Sequence, residues 1–289
     1  MAQQLECDVA YWEIHGRLEH GEPRPPGRDV VVLSNIQQGT ETSPGADGVS
    51  VRYVARGCEN YRIGGRGYRL EAGQVMIAPH KHGAECEVRR VDRAGTLGVC
   101  TLIRGASTEL DWVYGPLVLS AECSALGLLM HDSAKALWTG RSAKKELAQR
   151  LIAGLRSRLP DVMQGVVSQV AAVDGAKAAT RFEMVRRANV AQAYLHSTVD
   201  HAVDLQELAA AVGVSPFRLL AGFQQCFGET PASYHRKLRL CLVLQEAKRR
   251  DMPISAVAEQ FGFASASSFS HAYRRAFGRA PVWSRNEPN

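Results

Sequence analysis

Arginine and lysine side chains that could bind a polyanion are concentrated in the last third of this chain. The 289 residues carry a formal net charge of +6. Residues 181–289 hold 14 Lys and Arg against 9 Asp and Glu, whereas residues 1–180 hold 21 against 20. Such an excess is expected where a domain contacts nucleic acid. A solvated basic surface is the alternative, so the elements that position these charges decide between the two.

Two segments near the C-terminus, residues 204–231 and 253–281, repeat one pattern. Each begins with a short run whose apolar residues recur at helical spacing, which predicts an amphipathic helix. A glycine follows, Gly213 or Gly262, placed to leave the helix with a positive φ. A serine then stands where it can cap a second helix, Ser215 or Ser265. The apolar residues of the two first helices are Leu205, Leu208, Ala209 and Val212, and Ile254, Val257, Ala258 and Phe261.

Each second helix carries apolar residues four apart and ends in Phe-Gly. Residues 232–250 between the two segments predict one long amphipathic helix, a rod that would hold both segments at a fixed separation. Helix–short turn–helix is the pattern whose second helix enters the DNA major groove. A purely structural helical array is the alternative interpretation. The tandem repeat together with the basic excess favours DNA binding.

The span from about residue 181 to 285 resembles the DNA-binding domain of AraC/XylS-type bacterial transcription regulators. The matching sequences are LAAAVGVSPFRL, LRLCLVLQEAKRR, the ISAVAEQFGF stretch and SSFSHAYRRAFGRAP. The resemblance implies that two helix-turn-helix units on one monomer read successive faces of the major groove. It also implies a sequence-specific transcription regulator, an activator that contacts RNA polymerase and double-stranded DNA.

The resemblance assigns the reading helices to residues 216–226 and 265–277. Arg218 is the long donor at these positions in the first helix able to make a bidentate contact to guanine. Leu220 either touches a thymine methyl or packs inside the domain, and both interpretations stay open. The implied base-reading positions are Phe217, Arg218, Leu220 and Ala221, then Ala266, Ser267, Ser268, Ser270 and His271.

Further basic side chains are better suited to phosphate oxygens than to base edges. Contacts of this kind would make the affinity for DNA fall steeply with salt. The expected phosphate ligands are Arg236, Lys237, Arg239, Arg274, Arg275 and Arg285.

The N-terminal part predicts a β-barrel or sandwich. Between residues 29 and 103 short β-like runs alternate with turn residues, and residues 63–68 predict a tight hairpin. Residues 1–25 are mixed. Helices are expected at 120–131, 133–138 and 142–159, with Pro160 ending the last one, and the first half of residues 161–180 could be a further helix. The sequence LEAGQ at residues 70–74 is similar to a cupin turn, and the family's usual sensor domain is cupin-like with dimerising helices.

These patterns together predict an α+β chain with two domains. Residues 1–173 would form a cupin-like sensor and dimerisation domain, residues 174–180 a linker and residues 181–289 the all-α DNA-binding domain. The helix at 142–159 carries an apolar stripe that could pack on a second copy or on its own barrel; a homodimer is expected. The basic residues beside that stripe are Lys144, Lys145, Arg150, Arg156 and Arg158.

The N-terminal domain offers weaker candidates for a ligand site. His80 and His82, with Glu85 or Glu87 nearby, could share one metal ion, but histidines on a barrel rim are the alternative, and no metal or cofactor is expected. Cys86 could act with Cys100 as a thiol switch, or both could be buried free thiols. Tyr53, Tyr61, Tyr68 and Trp112 could line a pocket for a small-molecule effector or be ordinary strand residues.

Composition limits the remaining classes. No apolar run approaches the roughly 18–20 residues that span a bilayer. Seven cysteines without a CxxC pair indicate reduced thiols, and the N-terminal residues show no export signal, so a cytoplasmic protein without a membrane partner is expected. A non-enzymatic regulator is the leading hypothesis. A cupin-type metalloenzyme fused to a DNA-binding tail and a protein-interaction module are the alternatives.

Overall fold

The computed structural model describes residues 9–18, 27–80, 83–88, 95–106, 116–140, 143–175, 177–250 and 252–281. Within these ranges strands dominate the N-terminal part and helices make up the C-terminal part. The chain divides into two compact units, Met1–Asn189 and Val190–Asn289. The predicted α+β class is confirmed, with a barrel-like sheet and helices in the first unit and helices alone in the described part of the second.

A nine-stranded, mostly antiparallel sheet forms the core of the first unit. Its order is β5-β4-β7-β2-β8-β3-β6-β9, and β1 pairs with β2 in parallel. The strands are β1 (Val9–Leu18), β2 (Asp29–Ser43), β3 (Val49–Arg56), β4 (Cys58–Ile63), β5 (Arg66–Glu71), β6 (Gln74–Pro79), β7 (Ala84–Val88), β8 (Thr96–Ile103) and β9 (Leu117–Ser120).

The long strand β2 joins the two parts of this sheet. Its residues from Val30 to Ile36 pair with β8, and its last residues, Gly39 to Ser43, pair with β7. One strand therefore contributes to two neighbouring ladders, and the sheet wraps around an interior. That interior is lined from β1, β2, β3, β4, β7 and β8, as a barrel requires.

Several strand predictions are confirmed and two are corrected. The hairpin between β4 and β5 turns at Gly64 and Gly65, both with positive φ of 56° and 77°. The mixed N-terminal segment contains a full strand, β1, because it can pair with β2. Residues 117–120 form strand β9 on β6, so the helix predicted from residue 120 begins later.

Two helices follow the sheet, α1 (Ala125–Thr139) and α2 (Lys144–Ala172). The prediction that Pro160 ends the second helix is wrong, since α2 continues for twelve residues beyond it. An interior proline costs roughly 3 kcal/mol. Burial of the apolar stripe on both sides of Pro160, from Leu151 to Val166, offsets that cost.

Helix α2 packs on the sheet of its own chain. Arg156 Nη2 donates to both carboxylate oxygens of Asp29 at 2.9 Å and to the Arg104 carbonyl at 2.8 Å. Lys144 Nζ lies 2.6 Å from Glu13 Oε1 on β1. These contacts support the own-barrel alternative for this helix, and they leave its other faces for a second copy.

The remaining helices begin with α3 (Ala178–Ser197), in which the boundary between the two units falls. The others are α4 (Leu205–Val212), α5 (Pro216–Phe227), α6 (Pro231–Arg250), α7 (Ile254–Gln260) and α8 (Ala266–Phe277). No helix in the described ranges combines the length and apolar character needed to cross a membrane.

Candidate nucleic-acid interface

Helices α4 and α5 form the first helix-turn-helix motif. Asp204 caps α4 by accepting from the Glu207 amide at 2.8 Å. Gly213 ends α4 with φ 69°, and its amide bonds back to Ala209 and Ala210. The Ser215 side chain then accepts from the Arg218 amide, and Pro216 occupies the first turn of α5. The turn chemistry predicted from the sequence is confirmed.

An aromatic cluster holds the first motif to α6. Phe223 is fully buried, and its ring centroid lies 4.6 Å from Phe227 and 5.6 Å from Tyr234. The Tyr234 hydroxyl accepts from Gln192 Nε2 at 3.0 Å and contacts His196 Nε2 at 2.7 Å. Helix α5 is therefore fixed by rings on one side, which leaves its opposite face exposed.

Helices α7 and α8 form the second motif with the same construction. Ser265 and Ser268 make a reciprocal capping box at the start of α8. Phe269 and Tyr273 are buried, and the Tyr273 ring lies 4.6 Å from Phe277. This spacing matches the 4.6 Å between Phe223 and Phe227 in the first motif. The second helices of the two motifs thus share a serine N-cap and an aromatic core, as the sequence repeat predicts, whereas α7 begins after Pro253 without the side-chain cap that Asp204 gives α4.

The turn of the second motif requires glycine. Gly262 has φ 71°, and a Cβ there would meet Arg239 Nη2 at 2.7 Å and the Asp200 carbonyl at 2.8 Å. Any side chain would be strained both by the backbone conformation and by these neighbours. The Arg239 guanidinium itself donates to the carbonyl of Phe261 and lies 5.0 Å above the Phe263 ring.

Helix α6 is the predicted rod, and it contributes to both motifs. Tyr234 near its N-terminal end packs on Phe223 of the first motif. Further along, Leu240, Val243 and Ala247 are fully buried in the cluster of the second motif. One continuous helix therefore fixes the separation of α5 and α8, within a single compact unit.

Three of the four base-reading positions predicted on α5 are exposed. Phe217 is 81% exposed, and Arg218 and Ala221 are also exposed. Leu220 is half-buried, which is compatible with either of its two interpretations. Gln224 is exposed as well and lies one turn beyond Ala221. Sequence reasoning omitted Gln224, although a long amide on this face suits adenine.

Helix α8 presents Ser267 and His271 to solvent. Ala266 and Ser270 are half-buried on the same helix. Ser268 is committed locally, because its hydroxyl donates to the Ser265 carbonyl at 2.8 Å and accepts from the Ser265 amide at 3.1 Å. This engagement makes Ser268 a capping residue first and a weaker candidate for base reading.

A basic cleft of about 510 Å³ lies between α6 and α8. It brings together three predicted phosphate ligands and one predicted base reader. Arg236 and Lys237 on α6 are separated in sequence from His271 and Arg275 on α8 by 34 to 39 residues. Lys237 also pairs with Glu229 at 2.9 Å, an exposed contact that costs little to exchange for a phosphate. The lining residues are Ser233, Arg236, Lys237, His271, Ala272, Arg275 and Ala276.

The remaining predicted phosphate ligands differ in their placement. Arg274 is exposed near the C-terminal end of α8. Arg239 is only 6% exposed and its guanidinium is engaged at Phe261, so the expectation that it contacts phosphate does not fit this structure. Arg285 lies outside the described residues.

Of the two candidate metal histidines, the structure describes His80. His80 is 1% exposed, and its Nε2 lies 3.0 Å from Ser43 Oγ. His82 lies outside the described residues, and no cluster of three metal-ligating side chains occurs among the residues that are described. The metalloenzyme alternative would need further ligands around His80, and Ser43 is a poor one.

The interior of the barrel contains a cavity of about 40 Å³. Of the aromatic residues expected to line a pocket, Tyr61 lines this cavity. The Tyr53 hydroxyl instead makes a hydrogen bond with His131 Nδ1 at 2.8 Å, and the Tyr68 ring lies under the guanidinium of Arg186. Trp112 lies outside the described residues. The full lining is Ile14, Val32, Ser34, Ile36, Glu41, Ser43, Arg52, Glu59, Tyr61, Ala84, Cys86, Val99 and Cys100.

Both candidate redox thiols face this cavity. Cys86 is on β7 and Cys100 on β8, and β2 lies between these two strands in the sheet. Burial raises the pKa of Cys86 well above its ordinary range, which keeps it a thiol. The structure therefore favours the interpretation of Cys86 as a buried free cysteine.

Comparison with known proteins matches the C-terminal unit. A family model described as a helix-turn-helix domain matches residues 208–286. A putative AraC-like transcription regulator of Streptomyces antibioticus is 32% identical over 95 residues, 33% of this chain and 31% of that protein. The transcriptional regulator GbdR of Pseudomonas aeruginosa is 38% identical over 89 residues, 31% of this chain and 24% of that protein.

These matches span about a third or less of the regulators' own lengths. Over most of the chain, a crystal structure of apo ToxT from Vibrio cholerae is similar at 12% identity and a TM-score of 0.34, covering 88% of this chain and 95% of that one. Likeness at this level does not establish a shared fold, so the N-terminal unit is defined by its own topology.

Proposed function

Since the C-terminal domain of this chain is an AraC-type double helix-turn-helix domain, we propose that the whole protein is a sequence-specific DNA-binding transcription regulator. The observation that carries this proposal is the pairing of α5 and α8 on one helix, α6, each with its outer face exposed. One monomer then presents two reading helices whose separation is fixed before DNA is bound. Such preorganisation reduces the conformational cost of binding.

Base reading is divided unequally between the two helices. Helix α5 offers an apolar surface around Phe217 together with Arg218 and Gln224, which suits thymine methyls and one or two hydrogen-bonded bases. Helix α8 offers Ser267 and His271. With so few long donors, part of the specificity comes from DNA shape.

The phosphate backbone is held beside α8. Arg236, Lys237 and Arg275 line one cleft with Ser233, and a DNA strand passing there would receive three charged donors and a hydroxyl. These contacts carry no base information, but they set the register of the two reading helices on the duplex. Their number also determines how steeply affinity falls with salt.

The N-terminal unit would supply regulation. In this proposal it binds a small-molecule effector and a second copy of the chain, and the regulator acts in the cytoplasm as an activator that contacts RNA polymerase. Exposed apolar side chains on α1 and α2, Leu128, Trp138 and Val167, give a homodimer a contact surface. The barrel cavity is the candidate effector site.

The direct test is selection of bound fragments from genomic DNA with the purified full-length chain. The proposal predicts recovery of a shared sequence pattern, and gel-shift titration of that pattern should give binding that competes poorly with unrelated DNA. Recovery of fragments without any common pattern, with equal competition by unrelated DNA, would contradict sequence-specific regulation.

A further inference from the structure

The barrel interior contains a buried positive charge whose hydrogen-bonding capacity is not fully used. Arg52 on β3 is 3% exposed, and its Nη1 is buried without a hydrogen-bond partner among the residues that the structure describes. The guanidinium lies 4.7 Å from the centroid of the Tyr61 ring. A buried cationic donor without an acceptor is costly, and such groups in folded proteins commonly meet a ligand or an ion.

Glu59 is a buried acidic residue in the cavity lining, and its carboxylate oxygens accept hydrogen bonds from hydroxyl groups. The Tyr61 hydroxyl donates to Glu59 Oε2, and Thr96 Oγ1 donates to Glu59 Oε1 at 3.2 Å. Both oxygens of the Glu59 carboxyl group are thus engaged by hydroxyl donors, and burial raises its pKa. Within the described lining, the guanidinium therefore lacks a strong acceptor at Nη1.

The cavity size limits the ligand. A volume of about 40 Å³ exceeds the roughly 10–15 Å³ that a cavity needs to hold one water molecule, and it is far smaller than a cavity of ~150 Å³ that holds benzene. A molecule of about two to four non-hydrogen atoms fits this range. Ile14, Val32 and Ile36 line the cavity as well, so it offers apolar walls beside the charged donor.

We propose that the barrel interior binds a small monocarboxylate, of the size of formate or acetate, whose oxygen accepts from Arg52 Nη1. The planar guanidinium matches a carboxylate in geometry and charge. Glu41, half-buried in the lining, repels an anion placed beside it, so the carboxylate group lies on the Arg52 side and the methyl group meets the apolar wall. This inference rests on the proposed function in one respect, namely that the bound carboxylate acts as the effector of the regulator.

The experiment is calorimetric titration and thermal denaturation of the full-length chain with sodium formate and sodium acetate. Sodium chloride at equal ionic strength and acetamide, a neutral analogue of the same shape, are the ligand controls. We expect saturable binding and a raised Tm with formate or acetate, and neither with chloride nor acetamide. No effect beyond that of chloride, or an equal effect of acetamide, would overturn the proposal.

Three variants locate the site. Arg52→Met removes the charge at similar volume, and it should weaken acetate binding at least tenfold. Arg62→Met, on the exposed side of β4, is the matched control and should bind acetate normally. Undiminished acetate binding by Arg52→Met would overturn the assignment.

Arg52→Lys keeps the charge and loses the planar fork, so it should bind acetate more weakly than the wild type and more tightly than Arg52→Met. Unchanged binding by Arg52→Lys would contradict recognition by the guanidinium fork. DNA binding of the same preparations is measured both without and with added acetate. A chain that binds selected DNA but no carboxylate disproves this inference alone, whereas a chain that binds carboxylate but no DNA disproves the proposed function.

Discussion

The guanidinium of Arg239 on α6 binds the backbone carbonyl of Phe261 directly after α7, with Nε donating at 3.0 Å. The same side chain lies over the Phe263 ring and against Gly262. A residue that belongs to the connecting helix therefore closes the turn of the second motif. This contact ties the orientation of α8 to α6.

Replacing Arg239 by methionine should loosen the second motif. The Phe261 carbonyl loses its donor and the ring loses its cation, at a cost of about 1–3 kcal/mol. Amide hydrogen exchange should show lost protection in α7 and the start of α8. Arg236→Met, at an exposed position on the same helix, is the control and should leave that protection intact. If amide protection in α7 and α8 were equal in the two variants, Arg239 would have no structural role in this turn.

Arg218 and Arg274 should affect DNA binding differently. Arg218→Ala removes the long donor on α5, and should weaken binding to the selected site by about 10- to 100-fold and relax preference at one or two base pairs. Arg274→Ala should weaken all sequences alike, because a phosphate contact carries no base information. Gel-shift titrations against single-base variants of the site measure both effects. If neither substitution alters binding, the groove assignment is wrong.

Phe217 should matter for DNA and not for folding. It is 81% exposed, so Phe217→Ser should leave the Tm of the chain nearly unchanged while weakening binding at sites with thymine. Phe223→Ala, in the fully buried aromatic cluster, provides the contrast and should destabilise the unit by about 3–5 kcal/mol. A large loss of stability in Phe217→Ser would show that this side chain packs in the folded protein.

His235 should make the C-terminal unit sensitive to acid. It is 2% exposed and contacts the Thr198 carbonyl at 2.6 Å, and burial lowers its pKa from 6.5 to about 4. The unfolded chain binds the proton more readily, so the stabilising contribution is present above pH 6.5 and lost as the pH falls toward 4. Its size is on the order of 3 kcal/mol.

The check is thermal denaturation at pH 7 and pH 4.5 for the wild type and for His235→Gln. The wild type should lose more stability over this interval than the variant, whose glutamine can still donate to Thr198 without titrating. An identical loss in the two proteins would assign the acid sensitivity to other groups.

The features of this fold that the sequence predicts are local ones. Caps, glycine turns and apolar spacing depend on residues within one or two helical turns of each other, so the roles of Ser215, Gly213 and Ser265 follow from their neighbours in the chain. The continuation of α2 through Pro160 does not follow from local sequence, because it depends on burial of the apolar stripe on both sides of the proline.

The residue roles that sequence reasoning missed or assigned differently depend mostly on long-range contacts. Arg239 looks like any basic residue of α6 until Phe261 is folded against it. Arg52 and Tyr61 come together because β3 and β4 both face the barrel interior, and no spacing in the sequence shows this. Gln224 could have been found, since it follows Phe217 by seven residues on the same helix face.

The central claim is that one monomer reads DNA with two helices fixed on α6, and hydroxyl-radical footprinting of the full-length chain on its selected site tests it most directly. The account predicts two protected backbone segments about 10 base pairs, or ~34 Å, apart on one face of the duplex, as expected for two helices in successive turns of the major groove. It also predicts that Arg218→Ala weakens the protection of one of these two segments only. A single protected segment, or two that both disappear with Arg218→Ala, would contradict the account.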